Sequence, residues 1–130
     1  MTNKIFIIAH APLASALRDC ALHIFPDAAE RVLALDVPAD EPCEQTFAAA
    51  RAIAEKAASN LLVLTDVFGA TPSNVTQRMN RHCDACGIQV REVTGVNLPM
   101  LLRALCHVDQ PLDMLEQSAL VGGGQGIFTV

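Results

Sequence analysis

Short β-branched runs alternate along the chain with alanine-rich helical stretches, the sequence form of a parallel sheet with helices on both faces. Lys4 to Ala9 is apolar without period-two alternation, which predicts a first strand buried on both sides. His10 then falls at its carboxyl end. Pro12 suits the first turn of a helix, and Leu13, Leu17 and Ala21 recur at helical spacing down to about Ile24. Glu30 to Val37 reads as a second strand. Asp40 is placed as an N-cap, with Pro42 in the first turn, of a helix whose face carries Phe47, Ala50, Ala54 and Ala57 and which reaches about Ser59.

Leu61 to Thr65 is a third buried strand that delivers Asp66 to its carboxyl end. A short turn containing Gly69 follows, and Thr71 with Pro72 opens a helix running to about Arg81. Ile88 to Thr94 gives a fourth strand, broken by Gly95 and Asn97 before a helix from Pro99 to about His107. Asp109 to Val121 supplies the last helix, which Gly122, Gly123 and Gly124 are expected to end. Gly126 to Val130 is expected to form a short final strand at a sheet edge or on a partner subunit.

Length and composition narrow this picture. At 130 residues the chain is expected to be one domain, 1–130. Hydrophobic residues make up 52% and charged residues 18%, enough to bury a core and too apolar for disorder. The net charge of -5 argues against nucleic acid or a polybasic membrane contact. Five Phe, no Trp and no Tyr leave few aromatic platforms for bases or flavins, so small and branched aliphatic side chains must build the core. The apolar run Ile5 to Ala9 falls well short of a signal-peptide core or a span of roughly 20 residues, which points to a soluble, cytoplasmic protein. Five cysteines without an export signal are read as reduced thiols, with Cys20 and Cys43 as helix-packing groups.

Ligands of open α/β sheets sit beyond the carboxyl ends of the strands, where the strand order reverses. In a 2-1-3-4 order, strands one and three are neighbours about 4.8 Å apart, which sets His10 beside Asp66. A carboxylate accepting one imidazole N–H fixes the tautomer and turns the other nitrogen lone pair outward. Such a pair suits covalent acceptance of an electrophile better than metal binding. Gly69 permits close backbone approach, and Thr71 at a helix start offers a hydroxyl near free N–H groups, a cradle for an anion such as a phosphoryl group. Taken singly, His10 and Asp66 read more readily as capping and turn residues. Their meeting at the switch point favours chemistry.

The segments Ile7-Ile8-Ala9-His10, Leu64-Thr65-Asp66-Val67-Phe68-Gly69-Ala70-Thr71-Pro72-Ser73-Asn74 and Gly95-Val96-Asn97-Leu98-Pro99-Met100-Leu101 resemble, in order and spacing, the mannose-type enzyme IIA domain of the sugar phosphotransferase system. The resemblance implies a flavodoxin-like α/β sheet in the order 2-1-3-4. It also implies a phosphocarrier in which His10 takes a phosphoryl group from the carrier HPr and passes it to an enzyme IIB. Asp66 would then be the histidine's partner, and Thr71 and Gly69 would be phosphate contacts. No cofactor or metal is implied, and a homodimer with an exchanged C-terminal strand is. Ala70 stands where a second glycine is common, and Ser73 where an apolar residue is.

Other readings compete less well. His82-Cys83-Asp84-Ala85-Cys86 with Cys106-His107 could formally bind zinc, but a single C-x-x-C at a helix end is weak evidence. A thioredoxin-like motif would follow a strand and open a helix. A phospho-receiver built on Asp66 needs an acidic pair after strand one, where Ala9-His10 stands instead. A flavodoxin needs a hydroxyl-rich phosphate loop where Ala11-Pro12-Leu13-Ala14 runs. Two alternatives use the same site: a phosphorylation-dependent regulatory module without its own transporter, and a phosphoryl donor to a dihydroxyacetone kinase.

Overall fold

Four parallel strands in the order β2-β1-β3-β4 form the centre of the computed structural model, which describes residues 2–84 and 86–130. They are β1 (Asn3–His10), β2 (Val32–Val37), β3 (Asn60–Thr65) and β4 (Val90–Thr94). The helices are α1 (Leu13–Ile24), α2 (Cys43–Ala57), α3 (Thr71–Asp84), α4 (Leu98–Cys106) and α5 (Leu112–Gln125). The expected flavodoxin-like order is therefore the observed one. β1 lies between β2 and β3, with Ile8 level with Leu35 on one side and Thr65 on the other.

Two apolar layers follow from the period of two along β1. Ile5, Ile7 and Ala9 face one way, with Ala14, Ala21, Leu101 and Leu115 of α1, α4 and α5. Phe6 and Ile8 face the other, with Ala50, Ala54, Val75 and Met79 of α2 and α3. Each fully buried isoleucine or leucine here contributes roughly 1.5–3 kcal/mol. The alanines let α1 and α2 sit close to the sheet. Leu13, expected on the inner stripe of α1, is exposed; Ala14 is buried in its place beside half-buried Leu17.

Three expectations about helix ends need correction. Asp40 is not a cap: α2 starts later, with Pro42 in the N-cap position. The three glycines do not end α5, which continues to Gln125 with Gly126 as its C-cap. Close packing on α4 explains this. A Cβ at Gly123 would stand 2.7 Å from Met100 Cε, one at Gly126 would stand 2.5 Å from Pro99 Cβ, and one at Gly122 would meet the Arg103 side chain. Contact with α4 thus offsets the roughly 1 kcal/mol that Gly122 and Gly123 each cost in the helix. The third correction concerns the tail. Residues 126–130 form no strand in this chain, and Ile127, Phe128 and Val130 are exposed.

The thiols also differ from expectation. Cys20 and Cys43 are exposed rather than packed between helices, whereas Cys83 is buried. Ala85 and the Asp84 side chain of the His-Cys-Asp-Ala-Cys motif lie outside the described residues. Among the described residues no three His, Cys, Asp or Glu side chains gather as metal ligands. No helix among them is long and apolar enough to cross a membrane.

Candidate functional site

The strand order sets the site. β1 and β3 are hydrogen-bonded neighbours, and Thr65 at the end of β3 is level with Ile8, so His10 at the end of β1 and Asp66 just after β3 meet at the carboxyl rim of the sheet. His10 Nδ1 lies 2.8 Å from Asp66 Oδ2, and the same oxygen accepts the His10 backbone N–H at 3.1 Å. Asp66 Oδ1 accepts the N–H of Val67 at 2.9 Å. The carboxylate is thereby fixed at both oxygens. Its side chain is only 10% exposed, while the imidazole beside it is 49% exposed.

Electrostatics favour a charged Asp66. Burial alone would raise its pKa, but the hydrogen bonds from the His10 side chain and backbone, the charge of the ring and the Val67 N–H together hold it below the ordinary aspartate value. An ionised carboxylate only accepts hydrogen bonds, so Nδ1 must carry the proton that faces it. The neutral ring then keeps its lone pair on Nε2, on the half-exposed side. This arrangement can attack an electrophile through Nε2 and stabilise the positive charge the ring then acquires.

Gly69 and Thr71 stand three and five residues beyond Asp66 on the same rim. Gly69 has φ +84°, a left-handed conformation that glycine adopts without strain. Ala70, at the position of a common second glycine, needs no positive φ. Thr71 is the first residue of α3, and the helix buries Pro72 and Ser73 directly behind it. The opening N–H groups of an α-helix have no carbonyl four residues back to bond, so this terminus can receive an anion. Among the described residues the Thr71 hydroxyl makes no hydrogen bond to His10 or Asp66, and Ser73 Oγ is buried without a partner.

Backbone and side-chain contacts brace the site from both sides, and the first of them escaped the sequence. Asp36 of β2 accepts the Ser15 N–H at 3.0 Å and the Ser15 hydroxyl, so it caps α1 from across the strand. Pro12, in the N-cap position, supplies no side-chain cap. Ala11 N–H is held by Val37 O at 3.0 Å, which fixes the chain immediately after His10. On the other side, Val96 N–H donates to Thr65 O at 3.0 Å. Asn97 caps α4 by accepting the Met100 N–H at 2.9 Å and donates to Gly123 O at 3.2 Å. The Gly-Val-Asn-Leu-Pro-Met segment therefore braces the residue that precedes Asp66. The turn also exposes Val67 and Phe68, an apolar pair directly after Asp66.

Comparison with known proteins agrees with this fold. The mannose/sorbose specific IIA subunit of the phosphotransferase system from Enterococcus faecalis superposes with a TM-score of 0.88 at 25% identity, over 100% of this chain and 96% of that one. An EIIA component from Streptococcus agalactiae gives 0.80 at 23% identity over 98% and 96%. A PTS IIA protein associated with the fucose utilization operon of Streptococcus pneumoniae gives 0.79 at 22% over 99% and 93%, and these two likenesses attest the fold. No curated protein matches the sequence. The model of the PTS system fructose IIA component family matches residues 4–117, a stretch that takes in all four strands, His10, Asp66 and Thr71, and the chain belongs to that family.

Proposed function

We propose that the chain is a single-domain phosphocarrier of a sugar phosphotransferase system, with His10 as the residue that carries the phosphoryl group. One observation carries this reading: on a half-exposed ring, Nδ1 is engaged by an aspartate that is anchored at both oxygens and largely shielded from solvent. In the proposed step Nε2 attacks the phosphorus of a phosphohistidine on HPr. The new P–Nε2 bond forms as the donor's P–N bond breaks, and the donor imidazole leaves with the bonding pair. Asp66 stabilises the imidazolium, while Gly69 and Thr71 receive the phosphoryl oxygens at the opening of α3. The group then passes to an enzyme IIB by the same in-line exchange.

The exposed Val67 and Phe68 support docking of such protein partners over the rim. The uncovered tail side chains Ile127, Phe128 and Val130 support association with a second copy, and a cytoplasmic setting follows from the proposed partners. Incubation with enzyme I, HPr and labelled phosphoenolpyruvate tests the proposal. The expected result is an acid-labile label on the protein that is absent from His10→Ala and moves to an added IIB. A label that persists in His10→Ala refutes it.

A further inference from the structure

β2 has a neighbour on one side only. Ile5 N–H donates to Arg31 O at 2.8 Å and Ala11 N–H to Val37 O at 3.0 Å, so the odd-numbered residues of β2 turn their backbone groups toward β1. Val32, Ala34 and Asp36 turn theirs to the open side. Val32 O is occupied by Arg18 Nε at 2.9 Å, whereas among the described residues the backbone groups of Ala34 and Asp36 have no partner outside the sheet. Leu33, Ala34 and Leu35 are only half-buried. An apolar edge strand of this kind is a template for a further strand.

A groove of about 550 Å³ straddles that edge between α1 and α2. Its apolar floor includes Leu33 and Ile53. Lys4, Arg18 and Lys56 line it against a single acid, Asp19. The sign is opposite to that of a chain whose net charge is -5. We infer that the β2 edge binds an extended acidic segment of another protein, which adds as a fifth strand through Ala34 and places its carboxylates against Lys4, Arg18 and Lys56. A second copy of this chain fits badly. Pairing β2 with β2 about a two-fold axis would bring the same three cations of each copy together, and the exposed Gly126–Val130 segment holds no acid to offset them. The inference is independent of the phosphoryl chemistry: Asp36 braces α1 through its side chain, whereas the edge offers its backbone, and Lys4, Arg18 and Lys56 take no part in the His10 site.

The test is a titration of the isotope-labelled chain with a capped peptide of about six residues alternating valine and glutamate, a length typical of a strand. Chemical-shift changes centred on the Ala34 and Asp36 amides, slowed exchange of the Ala34 N–H and weakening with added salt are the expected results. Binding should fall about tenfold or more in Lys4→Glu with Lys56→Glu. Lys56→Glu alone, at an exposed position, gives the same direction should the double variant fold poorly. Phosphoryl transfer from HPr should be unchanged in either. Equal binding of a valine–lysine peptide, or of an acidic peptide with N-methylated backbone, overturns the inference. So do shifts centred on the His10 rim, or self-association of the chain that the charge reversals abolish.

Discussion

Among the described residues two histidine–carboxylate pairs have nearly equal length, and they sit in opposite surroundings. His10 Nδ1 is 2.8 Å from Asp66, and His82 Nε2 is 3.0 Å from Glu55. Asp66 is 10% exposed and held by two backbone N–H groups at the meeting of β1 and β3. Glu55 is 52% exposed on α2 and is shared with Arg51. The His82 ring stands edge-on to Phe47, whose face is covered by Arg78 at 4.1 Å. His82 therefore links two helices. What distinguishes the pair at the rim is a carboxylate fixed at both oxygens by hydrogen bonds and largely shielded from water, beside a half-exposed ring. Distance alone would not tell them apart.

The largest effect expected from breaking this contrast is complete loss of phosphoryl label in His10→Ala, with His82→Ala labelled as the native chain is. Next comes the carboxylate. Asp66→Asn should fold and transfer about 10²-fold more slowly, because an amide can present a donor to Nδ1 and favour the wrong tautomer. Glu55→Gln should leave the rate unchanged, and stopped-flow quench measurements separate the two.

A stability measurement sharpens the same comparison. The folded pKa of Asp66 lies below its unfolded value, so the unfolded chain binds more protons there. Its contribution to stability is present above the ordinary aspartate value and is lost as pH falls through the lower folded value. The difference in thermal midpoint between the native chain and Asp66→Asn should thus be widest near neutrality and close in acid. Glu55→Gln, whose carboxylate is half in solvent, should shift stability by less than about 1 kcal/mol at any pH. Smallest of all is Ser73→Ala behind Thr71. Removing a buried hydroxyl that lacks a partner should leave the melting temperature unchanged or slightly raised.

The reactive pair was legible in the sequence because β1 and β3 are bare apolar runs. Such runs must be central, and central parallel strands deliver their next residues to one rim. Thr71-Pro72 likewise marked a helix start by local chemistry, and α3 begins there. The misplaced features depend on contacts distant in sequence. Glycines 122, 123 and 124 look like a stop until Arg103 and Met100 of α4 are set against the first two. The cap on α1 comes from Asp36, 21 residues beyond Ser15, and the local pattern around Pro12 holds no trace of it. The apolar tail carried strand-like composition, yet a strand exists only by pairing, and no edge of this chain pairs with it.

The account rests on the proton position in the His10 ring, which long-range 15N–1H correlation spectra of the native chain read directly, before and after phosphorylation. The expected pattern is a proton on Nδ1 in the neutral form of the ring, followed by phosphorylation at Nε2 with the Nδ1 proton retained. A ring protonated at Nε2, or a phosphoryl group found on Nδ1, would contradict it.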